Sequence, residues 1–122
     1  MADTKIQTKK QKRAQLAYNC VSSLSTKNNE DYVQLAKKFP ALVHTCGLAQ
    51  AVAFVQAKEK DNRYTYITHL SKVMGLELSD DLGDRSRNAE LVDYQHLSRE
   101  AIESATWIKR YAEALLEKEE KD

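Results

Sequence analysis

The chain has 122 residues, 42% hydrophobic and 30% charged, with a net charge of +1. That length fits one domain with a core of its own, and that balance excludes a disordered polyelectrolyte. Three glycines and one proline are too few for the frequent turns of a multi-stranded β protein. No apolar run approaches the ~18 residues that span a bilayer.

Residues 4–25 read as a first helix. Ala17, Val21 and Leu24 recur at helical spacing, with Ala14 and Cys20 alongside. Carried backwards, this stripe meets Arg13, Lys10 and Ile6. Two of the three are charged, so the front of the helix is expected to project beyond the core or to fray. Ser25–Asn29 is a polar break. Asn28 or Asn29 can cap a second helix whose first turn carries Glu30 and Asp31, well placed for its dipole. Tyr32, Leu35, Ala36 and Phe39 give that helix one apolar face, and it is expected to end before Pro40.

A third helical stretch starts at Pro40, where a missing N–H in the first turn costs nothing. It is expected to bend or break near Gly47 and to reach about Lys58. Leu48–Ala57 is apolar almost all round, which predicts a helix in the centre of a bundle. Glu59–Arg63 is a charged turn. Tyr64–Met74 reads as a fourth helix with Tyr66, Ile67, Leu70, Val73 and Met74 inward and Gly75 as its cap. Residues 76–87 read as a polar linker, followed by a short helix over Asn88–Val92. Asp93 can cap the last and longest helix, which runs to about Lys118. Its core stripe is Leu97, Ala101, Ala105, Ile108, Ala112 and Leu115, extended by Trp107 and Tyr111. The expected fold is all-α: a single compact bundle of five to six helices over residues 1–122, with long first and last helices and residues 1–10 a frayed basic extension.

Catalytic patterns are missing. There is no Gly-rich phosphate cradle. His44, His69 and His96 lie on different expected helices, and none has the partners of a metal clamp; His96 and Glu100 form at best a surface pair. His44 and Cys46 point about 160° apart on a helix, a poor nucleophile pair. No enzyme activity, metal or cofactor is expected. Cys20 and Cys46 form no CxxC pair and sit on apolar faces, as buried thiols of a reducing cytoplasm would. The basic start has no apolar segment behind it, so no secretory signal is expected there.

The clearest functional pattern is charge. Lys5, Lys9, Lys10, Lys12 and Arg13 oppose only Asp3 in residues 1–13, whereas residues 90–122 hold nine acids and five bases. Lys5, Lys9 and Lys12 share one helical stripe, which attracts a phosphate backbone without reading sequence. Lys37 and Lys38, and Lys109 and Arg110, are further basic pairs; solvated surface is the alternative for all of them. The six tyrosines show no alignment into a stacking platform, and core positions suit them better.

The block Phe39-Pro40-Ala41-Leu42-Val43-His44-Thr45-Cys46-Gly47-Leu48-Ala49-Gln50-Ala51-Val52-Ala53-Phe54 resembles the most recognisable motif of the small-subunit family of type III-B (Cmr) CRISPR effector complexes. Arg13-Ala14, Ala17-Tyr18 and Val21 resemble that family's first helix. Tyr94, Arg99-Glu100-Ala101 and Trp107 to Ala114 resemble its last. The resemblance adds His44 as a candidate contact, at a position where the family often carries a basic residue; Cys46 and Ala49 stand where it often has Asn and Gly. It implies a helical protein without catalytic activity. Several copies would stack as a minor filament beside backbone and large subunits, along target RNA and guide RNA and away from any membrane. The candidate RNA contacts are then Lys5, Lys9, Lys10, Lys12, Arg13, Lys37, Lys38, His44, Lys109 and Arg110. The alternative is a helical adaptor that binds only protein.

Overall fold

The computed structural model describes residues 7–24, 29–58, 65–76 and 81–116, which contain six α-helices and no strand. They are α1 (Lys9–Ser22), α2 (Glu30–Cys46), α3 (Leu48–Lys58), α4 (Thr65–Met74), α5 (Leu82–Asn88) and α6 (Leu91–Tyr111); α6 continues as a π-helical turn over Ala112–Leu116. The all-α bundle expected from the periodicity is the fold observed. Lys5 with the rest of residues 1–6, the 59–63 turn and everything beyond 116 lie outside the described residues.

Helix α6 is the organising element and packs on α1, α2 and α4. Arg13 meets Glu100 and Glu103, and Tyr18 meets Tyr111, so α1 and α6 run parallel. Tyr32 meets His69 while Phe39 meets Tyr66, so α2 and α4 run antiparallel. The shared core includes Val21, Phe39, Leu48, Val55, Tyr66, Leu70 and Ile108, all fully buried. Each large apolar side chain there contributes about 1.5–3 kcal/mol.

Helix α1 starts at Lys9 rather than at residue 4, because Thr8 and Gln11 close a reciprocal capping box. The Gln11 N–H donates to Thr8 Oγ1 at 3.0 Å, and the Thr8 N–H donates to Gln11 Oε1 at 2.8 Å. Asn29 does hold the N-cap of α2, without a side-chain cap bond. Pro40 does not begin a helix: α2 runs straight through it. A proline there removes the bond to the Ala36 carbonyl and typically costs about 3 kcal/mol. The offset is an apolar stripe that never breaks, since Tyr32, Leu35, Ala36, Phe39 and Val43 are buried on both sides of the proline. Burial of that face outweighs one missing hydrogen bond.

The chain breaks at Gly47 instead, with φ 87° and ψ 159°, a region open essentially to glycine alone. Gly47 serves both helices. Its N–H donates to the Val43 carbonyl at 2.9 Å, and its own carbonyl accepts from the Ala51 N–H at 3.0 Å. It has no side chain to cap α3, and Tyr94 of α6 supplies one: its hydroxyl accepts from the Ala49 N–H at 3.1 Å.

Four further expectations are corrected. Helix α3 is not central: it buries Leu48, Ala51, Val52 and Val55 but exposes Ala53 and Ala57. Its all-round apolar character comes from alanines, which lose little at a surface. The supposed linker holds α5, which Asp81 starts by accepting from the Gly83 N–H at 2.9 Å and the Asp84 N–H at 3.3 Å, while Leu82 is buried. The Asn88–Val92 helix is therefore absent; Ala89 and Glu90 are extended, and α6 is capped at Glu90, not Asp93. Gly75 ends α4 as expected, with φ 85° and paired bonds from Leu76 N–H to Ser71 O and Gly75 N–H to Lys72 O, a Schellman closure.

Candidate nucleic-acid interface

The α1–α6 seam collects most of the residues of interest. The core stripe of α1 does not stop at Ala17 but continues one turn to Arg13, whose side chain is only 6% exposed. Its guanidinium Nη1 lies 2.5 Å from Glu103 Oε1, and Nη2 is paired with Glu100 Oε1. Lys9, on the outer edge, has Nζ 3.5 Å from Glu100 Oε2 and is 70% exposed. His96 flanks the same carboxylate, with Nε2 at 3.9 Å.

Arg13 is thus corrected from a surface cation to a buried one. A guanidinium is stable there because two carboxylates satisfy it in a fork geometry. The consequence for the surface is indirect. Arg13 and Lys9 neutralise the acids of mid-α6, so Lys10 and Lys12 stand exposed without a carboxylate partner among the described residues. Arg110 is exposed and its guanidinium lies 5.4 Å from the Trp107 ring centroid, a cation–π contact. Lys109, beside it, is half-buried.

The other candidates sit elsewhere. Lys38 is exposed on α2 and Lys37 half-buried. Lys38 lines a cavity of about 390 Å³ together with Lys58, Phe54, Asp31 and Gln34. Lys58 extends over the Phe54 ring at 5.5 Å. Sequence reasoning passed over Lys58, since α2 and α3 had first to fold back on each other. His44 is exposed at the end of α2, and so is Cys46, against the expectation of a buried thiol. Cys20 is buried, and burial pushes its thiol pKa up, with Lys72 nearby opposing.

His69, half-buried on α4, has Nδ1 2.7 Å from the Tyr32 hydroxyl. Burial first, and the Lys72 charge second, lower its pKa to about 4, so it is neutral in the fold at pH 7. Among the described residues no three His, Cys, Asp or Glu side chains gather as metal ligands, and no helix is long and apolar enough to cross a membrane.

The aromatic arrangement is the feature that the sequence did not reveal. Tyr18 on α1 meets Tyr111 on α6, and Tyr111 stacks on Trp107. Trp107 and Tyr111 share a helix face by their spacing, but Tyr18 joins them only once α1 lies parallel to α6.

The chain is similar to known CRISPR-associated proteins. The family model for CRISPR-associated protein (Cas_Cmr5) matches residues 9–115. The CRISPR system Cmr subunit Cmr5 of Thermus thermophilus is 36% identical over 113 residues, covering 92% of this chain and 99% of that one. The subunit of the same name from Thermotoga maritima is 30% identical over 122 residues, covering 97% of this chain and 92% of that one. A crystal structure of a Cmr5 family protein from Thermus thermophilus superimposes with a TM-score of 0.79 at 36% identity, over 91% of this chain and all of that one. With the family pattern matched from the first helix to the last, the chain belongs to the Cmr5 family of CRISPR-associated proteins.

Proposed function

We propose that this chain is the non-catalytic small subunit of a type III-B CRISPR RNA-guided effector complex in the cytoplasm. Copies of it stack as a minor filament along the backbone subunits, next to the large subunit, and help to hold target RNA against the guide. Family membership supports the assembly. The observation that supports the RNA contact is the α1–α6 seam: Arg13 holds Glu100 and Glu103, while Lys10, Lys12 and Arg110 stand exposed on the two helices that form it. Lys9 and Lys109 on the same two helices, Lys37, Lys38 and His44 on α2, and Lys5 outside the described residues are proposed as secondary contacts. Arg13 acts through the carboxylates and not on RNA.

Phosphate contacts release counterions, so affinity for single-stranded RNA should fall with salt at a log–log slope of roughly −0.7 per contact, near −3.5 for about five contacts. Filter binding of labelled RNA at several salt concentrations measures this. Charge reversal at Lys10, Lys12 and Arg110 together should flatten the slope by about two while leaving the melting temperature unchanged. A slope untouched by reversal removes these residues from the interface.

A protein-only adaptor is the second reading. It is favoured by Leu91 and Val92 at the start of α6, which are 69% and 74% exposed. Replacing both with serine should release the chain from partner subunits, scored by mass spectrometry of complexes purified with their RNA. If the chain never recovers with such particles, the assembly role fails.

A further inference from the structure

Tyr18, Tyr111 and Trp107 form a continuous ladder of rings across the seam. Tyr18 and Tyr111 meet edge to face, with centroids 5.5 Å apart and planes at 78°. Tyr111 and Trp107 lie 6.0 Å apart with planes only 21° off parallel, and the Arg110 guanidinium lies over Trp107. The inner rings are therefore half-buried among their neighbours. Tyr18 is not: it is 43% exposed and stands at the end of the ladder, beside a groove of about 420 Å³ lined by Gln7, Gln11, Ala14, Gln15, Tyr18 and Tyr111.

No charged side chain lines that groove. Gln11 uses its carbonyl oxygen in the capping box and keeps its amide donors; Gln15 donates to Asn19 at 3.0 Å and keeps its carbonyl acceptor. Lys10 lies one helical turn before the groove residue Ala14 and is exposed, with no carboxylate partner among the described residues. Glu103, one turn before Trp107 on α6, is held by Arg13. A pre-ordered ring in water, amide donors and acceptors beside it, and a free ammonium at the edge are the three parts of a site for an unpaired nucleotide. The ring takes the base face, the amides take the base edge and the ammonium takes the phosphate. The mixed lining, rings beside amides, suits a base with its apolar face and polar edge better than a wholly hydrophobic segment.

The geometry points to Tyr18 as a base-stacking residue for one unpaired nucleotide of single-stranded RNA, with Tyr111 and Trp107 holding its ring in place and Lys10 meeting the adjacent phosphate. This rests on the reading that the chain contacts RNA, and it adds a non-electrostatic contact to that reading. Stacking does not release counterions, so the affinity it contributes survives high salt.

The test is fluorescence anisotropy of a short labelled oligouridylate titrated with the full chain, unsubstituted and as Tyr18→Leu and Tyr18→Phe, at low and high salt. Trp107, the only tryptophan, gives an independent readout through its emission, and thermal melts check folding. Tyr18→Leu keeps the bulk and loses the π face; it should weaken binding roughly ten-fold at both salt concentrations with an unchanged salt slope. Tyr18→Phe should bind as the unsubstituted chain does. Binding by Tyr18→Leu equal to that of the unsubstituted chain overturns the stacking site and leaves the RNA reading standing. An equal loss in Tyr18→Phe overturns it too, since the hydroxyl and not the ring would then be responsible. No binding by the unsubstituted chain overturns both.

Discussion

At the α2–α3 joint the unusual groups belong to the backbone; at the α1–α6 seam they are charges and rings. The joint places a proline inside a helix and then, seven residues on, a glycine at φ 87°. The first is managed by a continuous apolar face, the second by one hydroxyl from Tyr94 of α6. The seam instead joins Arg13 to acids 87 and 90 residues away in the sequence. The joint shapes the molecule without offering chemistry to a partner. The seam consumes its own acids, and so leaves an outer surface that can attract an anion. Two solutions, one by apolar burial and a single hydrogen bond, the other by ion pairs, have different functional consequences.

The contrast is sharpest in what removal does. Replacing Glu100 and Glu103 together with alanine strands the Arg13 guanidinium in the core and should cost about 3–5 kcal/mol, read from urea denaturation. Arg13→Met should cost much less, because the released carboxylates can reach water; Glu103 is already 55% exposed. Equal costs would show that the seam is held by shape and not by charge.

At the joint, Gly47→Ala should cost about 1–3 kcal/mol, since a residue with a Cβ is strained at that backbone conformation. The new Cβ would also stand 3.2 Å from the Tyr94 hydroxyl. Tyr94→Phe alone should lose only about 1 kcal/mol, the hydrogen bond to Ala49. If the two changes cost the same, the break is governed by its cap and not by its φ. Thermal melts of both variants decide.

A pH dependence runs through His69, which ties α4 to α2 beyond the joint. Its pKa is lowered from 6.5 to about 4 in the fold. Between those values the unfolded chain binds the proton and the folded one does not, so stability is full above pH 6.5 and declines as pH falls toward 4. Allowing for solvent screening of a half-buried ring, the loss should be about 1–2 kcal/mol. A His69→Phe variant should flatten that part of the stability profile.

Much of the fold was legible because helical periodicity is local. The stripe of α6 through Leu97, Ala101, Ala105, Ile108 and Ala112 is buried as its spacing requires, and Gly75 caps α4 for the reason its position suggested. The errors came where two local rules competed. Pro40 argued for a boundary and the Tyr32–Val43 stripe argued for continuity, and only burial could decide between them. Asp93 was a credible cap for the last helix, but that helix starts earlier, at Leu91 behind Glu90, and the stretch read as a linker folds as α5 behind Asp81 with Leu82 buried. The candidate cations were legible as a list and not as a surface: Lys10 and Arg13 lie on neighbouring turns with opposite fates.

The sequence by itself determined that this chain is helical, that it turns sharply at Gly47, and that its first helix is rich in cations, since each follows from residues within a few positions of one another. Only the tertiary structure decided that Arg13 would be buried and that Tyr18 would join Tyr111 and Trp107. Those outcomes depend on α1 lying parallel against α6, a relation between distant segments that no local spacing encodes.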